Sequence, residues 1–271
     1  MTSKAVSFIR FFLVAFVAIT STYSSNARAG SPADEAAVNW AVTRMVSWSP
    51  PGKSYYVNAK ETESDGRERY AAIAKDAISV AFDPDEAPLF AGPRGRYKTL
   101  AIMLSVADSE SGFRKDVDFG IGKESKGDGG RSWCMAQVQL GKAVGGKTKT
   151  RVVLDRDGLR FVWDGTGYGG EDLVSDRKKC FRVGLHIMRM SFNTCSSLPL
   201  ESRLSMYASG SCGSGRDASA NRVRKAVKWL SASAPPTDDA DLMLILGSDP
   251  AKEQAQFLTE IGVEKGLSVK D

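Results

Sequence analysis

The residue of this chain best suited by type and position to do chemistry is a glutamate at the end of an apolar helix. Glu110 closes the run LAIMLSVADSESGF, in which Leu100, Met103, Leu104 and Ala107 form one stripe. At about 100° per residue Glu110 falls close to Met103 in angle, at the margin of that stripe. Gly112 permits a turn just beyond it. A carboxyl at the apolar edge of a helix end is partly desolvated, so its pKa rises and it stays protonated closer to neutrality, as a general acid must. Read from position alone, the same residue is a solvated glutamate at a helix terminus. Other chemistries have less to draw on. The one histidine, His186, sits inside an apolar segment without a Ser or Cys partner in view. It reads as a packed helix residue, and Ser-His-Asp and Cys-His mechanisms fall with it. The glycine-rich stretch FGIGKESKGDGGR lacks the lysine-serine ending of a P-loop and the spacing of a dinucleotide site, so it reads as a flexible cleft-edge loop.

The chain begins with an export signal. Lys4 and Arg10 precede the apolar run FFLVAFVAI, and Ala27-Arg28-Ala29 is a small-x-small cleavage site. The run is too short to span a bilayer, which takes about 20 residues. The mature chain is therefore expected to be periplasmic or extracellular, without stable membrane insertion. Cleavage removes Lys4, Arg10 and Arg28 and no acid, lowering the formal charge from +5 to +2. That near-balance gives no argument for nucleic acid.

Cys134, Cys180, Cys195 and Cys212 all lie beyond the signal and read, in an exported protein, as two disulfides. A helix from Cys180 to Cys195 would hold its ends about 22 Å apart, which excludes that bridge. Cys134–Cys180 with Cys195–Cys212 is favoured, and the crossed pairing stays open. No CxxC or HxxxH spacing points to a metal, and no cofactor is expected.

The elements that would position Glu110 follow from pattern. Val38, Trp40, Val42, Met45 and Trp48 suggest a helix before a turn-rich loop. Tyr70, Ile73, Ala74, Ala77, Ile78 and Ala81 recur at three and four, an amphipathic helix over 67–82 that Asp83-Pro84 stops. SWCMAQVQL is a short strand or a helical turn. RVVLDRDGLRFVWDG reads as two strands around an Asp-Gly turn. Residues 182–192 are apolar nearly all round, the mark of a buried helix, and 201–207 form a short one. In 221–230, Val223, Ala226, Val227 and Leu230 face inward, with Arg222, Arg224, Lys225 and Lys228 outward on a basic face that reads as solvated surface, the alternative being contact with an anionic cell wall. A linker, SASAPPTDD, and one or two small helices end the chain.

Three ordered segments carry a resemblance. LAIMLSVADSESGF resembles the catalytic helix of the soluble lytic transglycosylase and lysozyme-like superfamily, which ends in Glu-Ser-x-Phe. SWCMAQVQLG is similar to that family's Ser-x-Gly-Leu-Met-Gln segment, with Ser132, Met135 and Gln137 in comparable places. LSMYASGSC resembles its Tyr-Asn-Ala-Gly motif through Tyr207 and Gly210, while Ala208 and Ser209 replace Asn-Ala.

The resemblance implies an α+β, mainly α, lysozyme-like fold with a small β-hairpin insertion. Its parts would be a signal peptide (1–29), an N-terminal extension (30–66), a lysozyme-like domain (67–230) and a C-terminal linker with a helical tail (231–271). It further implies cleavage of peptidoglycan glycan strands at the bond between N-acetylmuramic acid and N-acetylglucosamine. Glu110 would be catalytic, and Ser111, Ser132, Met135, Gln137 and Tyr207 would bind substrate or orient the glutamate. Two rivals are carried forward. A hydrolytic muramidase would need a second carboxylate, for which Asp116, Asp118 and Asp128 are the nearest in sequence. A non-catalytic wall-binding protein would fit the departures at Cys134 and Ala208.

Overall fold

A computed structural model describes residues 32–53, 57–83, 85–92, 94–155 and 158–236. The expected export signal and the expected C-terminal helices lie outside these residues. Helix α3 (Gly95–Ser111) forms the centre, and α1 (Pro32–Trp48), α2 (Glu63–Ala81), α7 (Arg177–Thr194) and α9 (Arg216–Ala232) pack around it. The remaining helical pieces are short: α4 (Lys115–Phe119), α5 (Gly127–Gly130), α6 (Gly170–Ser175) and α8 (Ser205–Ser209). The strands form three separate antiparallel pairs: β1 (Ser132–Trp133) with β2 (Val138–Gln139), β3 (Ala143–Val144) with β4 (Lys147–Thr148), and β5 (Thr150–Asp155) with β6 (Gly158–Trp163). The fold is α+β and mainly α.

Helix α3 was expected to show one buried stripe. Instead it is covered on every side, and from Tyr97 to Asp108 each residue is buried. Its second side carries Ala101, Ile102 and Val106, small or branched side chains that let neighbours close in. Its buried hydroxyls are satisfied without water. Thr99 Oγ1 donates to Gly95 O at 2.7 Å, and Ser105 Oγ donates across to Arg222 O on α9 at 2.6 Å. Beyond Arg96 in the first turn, solvent is reached in the last turn, with Ser109 exposed and Glu110 half-buried. Gly112 (φ 58°) then reverses the chain with its N–H on Asp108 O.

The segment expected as an N-terminal extension supplies α1 to the same core. Ala37, Val38, Ala41 and Met45 are buried in it, and Trp40 stacks on Trp229 of α9 with ring centroids 3.9 Å apart. Helix α2 starts at Glu63, earlier than its apolar spacing indicates, because Thr62 caps it by accepting from Asp65 N. Helix α7 corrects a second expectation. It is amphipathic rather than apolar all round: Cys180, Phe181, Val183, Leu185, Met188 and Phe192 face the core. Arg182, His186 and Arg189 lie on the other face, against Asp83 and Glu86.

Strands β5 and β6 pair from Thr150↔Trp163 to Asp155↔Gly158, as the alternation around Asp157-Gly158 indicated. Both disulfides take the favoured pairing. Cys134–Cys180 (Cα–Cα 6.2 Å) ties the β1–β2 turn to the start of α7, and Cys195–Cys212 (5.5 Å) ties its end to the loop after α8. With sequence separations of 46 and 17, chain entropy assigns them roughly 4 and roughly 3 kcal/mol.

Candidate functional site

Glu110 stands at the C-terminal end of α3, its side chain 20 % exposed. A carboxylate carried on a helix locked from four sides has little freedom to relax, so its surroundings fix its acidity. Burial pushes the Glu110 carboxyl above the ordinary glutamate value; the Arg222 guanidinium pulls it back by charge and hydrogen bond, and the negative charge of Asp128 adds to the rise. The upward push prevails.

Arg222 is the residue that the sequence pattern misplaced. It points inward from α9, 8 % exposed, and its Nη2 donates to Glu110 Oε1. The signal was present in its register. Arg222 precedes Ala226 by four and Trp229 by seven, and both are buried, so the three share one face. One turn on, Lys225 Nζ pairs with Asp108, which also accepts from Ser49 Oγ at 2.6 Å. Two ion pairs therefore join α3 to α9, beside the Ser105 bond to the Arg222 carbonyl. Arg224 and Lys228 do face solvent.

The β1–β2 hairpin and the loop before it form the facing wall. Ser132 Oγ donates to Asp128 Oδ2 at 2.6 Å. Gln137, in the left-handed region at φ 47°, is fully engaged at its amide: Oε1 accepts from Gly127 N at 2.9 Å, and Nε2 donates to Cys134 O at 2.8 Å. A Cβ on Gly127 would lie 2.3 Å from Gln137 Oε1, so a larger residue there would displace the Gln137 amide. Ser132 and Gln137 thus fasten the segment that carries Asp128 toward Glu110. Tyr207, from α8, donates its hydroxyl to Ala136 O; burial pushes its phenol well above the ordinary value, and the charge of Glu110 adds to that.

The sequence-derived set divides. Glu110, Tyr207, Ser132 and Gln137 come together around one locus, with Arg222 and Asp128. Ser111 and Met135 are buried in the core at 5 % and 1 % exposure. The Ser111 hydroxyl is spent on Ala107 O at 2.6 Å and Phe113 N at 3.2 Å. These two residues support the helix end and the hairpin from behind. Of the three candidate second carboxylates, two are committed elsewhere. Asp116 is held by Arg114 at 2.9 and 3.1 Å, and Asp118 by Arg177 at 2.6 and 2.9 Å with Arg69 at 3.5 Å. Asp128 alone remains exposed and acts on Glu110.

No family model matches the chain, and no curated protein and no solved structure is similar to it. What the locus does has to come from its own chemistry. That chemistry is a carboxyl whose pKa burial raises against the pull of one arginine, beside a surface that admits solvent.

Proposed function

We propose that this chain is an exported enzyme that cuts peptidoglycan glycan strands at the bond between N-acetylmuramic acid and N-acetylglucosamine, as a lytic transglycosylase. The observation that carries the reading is the Glu110 carboxyl, half-buried at the open end of an otherwise sealed helix and shifted upward by that burial. A carboxyl so shifted holds a proton nearer neutrality and gives it to a glycosidic oxygen on bond cleavage. The substrate acetamido group then assists at the anomeric carbon, and Glu110, now ionised, takes the proton of the attacking 6-hydroxyl, leaving a 1,6-anhydro end. Arg222 steadies the carboxylate in that second half. The two disulfides suit an oxidising compartment outside the cytoplasm. Among the described residues no helix is long and apolar enough to cross a membrane.

Asp128 favours one alternative. Its exposed carboxylate acts on Glu110, so a water between them would be activated in a hydrolytic muramidase. Digestion of purified sacculi by the mature protein, with the products read by mass spectrometry, separates the readings. Anhydro ends support transglycosylation, and reducing ends support hydrolysis through Asp128. An intact sacculus means a wall-binding protein without catalysis. Glu110→Gln should lower cleavage by about 10²–10⁴-fold, the range of a lost general acid. A variant that cuts as well as wild type overturns the assignment of Glu110.

A further inference from the structure

Behind the β1–β2 hairpin lies a second concavity that the Glu110 locus does not use. Strand geometry separates the two. Neighbouring residues of a strand point to opposite faces, so Ser132 turns to Asp128 while Trp133 turns the other way. Trp133 lines a cavity of about 740 Å³ between the end of α4, α6, the start of α7 and the β3–β4 turn. That volume lies within the usual range for small-molecule sites. Glu110, Arg222 and Tyr207 are not among its walls.

The charges of the cavity decide what it takes. By count its walls hold four acids, Asp76, Asp118, Glu171 and Asp176, against Lys126, Arg177 and Lys178. By bonding they differ, since each acid is already engaged while, among the described residues, two of the cations stand outside any ion pair. Asp118 holds Arg177 and Arg69, and Glu171 accepts from Arg151 at 2.9 Å and from Thr148 N at 3.1 Å. Asp176 caps α7 through Lys179 N at 3.2 Å. Asp76 faces Arg177 at 3.7 Å, and burial raises its carboxyl above the ordinary value. Among the described residues, Lys126 and Lys178 make no ion pair. The apolar walls are also screened in one sense only. Arg177 lies over the Phe119 ring at 5.6 Å and Lys126 over the Trp133 ring at 4.7 Å, so both aromatic surfaces present a cation to the cavity. A cationic ligand would meet like charge there. An anion would find the Lys126 ammonium, held by the Trp133 ring alone among the described residues, with Phe119 and Val174 beside it for an apolar body.

We infer that this cavity is a binding site for a small organic acid with an apolar body, its anionic group on Lys126 and its body against Phe119 and Val174. The inference is independent of the reaction assigned to Glu110. Its test uses 8-anilinonaphthalene-1-sulfonate, an anionic aromatic fluorophore, titrated into the intact mature protein at low salt. One saturable site is expected. Lys126→Gln should weaken it about fivefold, the scale of one half-exposed ion pair, and Lys126→Arg should hold it near wild type. 3-Phenylpropanoate should displace the dye, and 2-phenylethylamine, of the same shape and opposite charge, should not. Trp163→Ser, at an exposed aromatic that does not line the cavity, controls for dye on the hairpin surface. The inference is overturned by any of four results: no saturation at millimolar dye, equal affinity in Lys126→Gln, equal displacement by the amine, or loss of the site in Trp163→Ser.

Discussion

Glu86 and Glu110 are both withdrawn from water, and their carboxyls move in opposite directions. Glu86 lies between the loop after α2 and the outer face of α7. Burial pushes it up, but the hydrogen bond and charge of His186 and the charge and hydrogen bond of Arg189 together bring it below the ordinary glutamate value. The distances fit: His186 Nε2 at 3.0 and 3.2 Å, Arg182 at 3.1 Å and Arg189 at 3.4 Å. Glu110 is also desolvated but has Arg222 as its cationic partner and Asp128 against it, and it stays above the ordinary value. Desolvation is common to both, so the number and sign of the partners decides. Glu86 is a fixed anion that staples a loop to a helix. Glu110 is a carboxyl that its surroundings push toward the protonated form.

The largest effect should come from removing the fixed anion. Glu86→Ala strands three cationic or polar partners on α7 and should cost about 3 kcal/mol at neutral pH, read by urea unfolding. The pH dependence tests the charge separately from packing. A carboxyl whose folded pKa is depressed contributes its stability in full above the unfolded value and loses it as pH falls through the folded one. The gap between wild type and variant should therefore close below about pH 4. A gap that persists unchanged there would mean that Glu86 acts by packing, and the contrast with Glu110 would lose its basis.

Next in size is Arg222→Met, which keeps much of the side-chain volume and removes the guanidinium. The expected cost is about 1–2 kcal/mol, for a mostly buried pair with one solvent-facing partner. More telling is the carboxyl itself. With burial and Asp128 left and the arginine gone, Glu110 should titrate at higher pH than in wild type, read by carbon NMR of its labelled side chain. An unchanged titration would show that Arg222 is not the counterweight, and Glu110 would differ from Glu86 for another reason.

These two glutamates also mark where sequence pattern informs and where it stops. The positions of α2 and of the β5–β6 pair were legible because apolar spacing and an Asp-Gly turn are local signals. The disulfide pairing was legible in part, because helical rise excludes Cys180–Cys195 but leaves two pairings, of which the favoured one forms. The surroundings of Glu110 were not. Periodicity reports one face of a helix, whereas α3 is closed in from all sides by elements as distant in sequence as α1 and α9. Arg222 was read as outward with Arg224, Lys225 and Lys228 because a basic helix face is usually solvated, and only the partner helix reveals that its guanidinium has an acceptor. In the same way Ser111 and Met135 match a motif by letter, but burial gives them to the core. The outer face of α7 escaped for a related reason, because Glu86 lies 100 residues from His186.

The smallest effect, and the sharpest for the comparison, is on stability in Glu110→Gln. The amide keeps the shape and an acceptor for Arg222, so the change at neutral pH should stay within about 1 kcal/mol. Its sign should depend on pH in the sense opposite to Glu86. A carboxyl with a raised folded pKa gives its stability below the unfolded value and loses it as pH rises through the folded one. Wild type should therefore lose ground to Glu110→Gln as pH climbs above about 4, where the unfolded glutamate ionises before the folded one. Parallel urea unfolding across that range reads the difference directly. If wild type instead gains on the variant with rising pH, Arg222 outweighs burial, Glu110 is a fixed anion like Glu86, and a resting proton donor must be sought elsewhere in the chain.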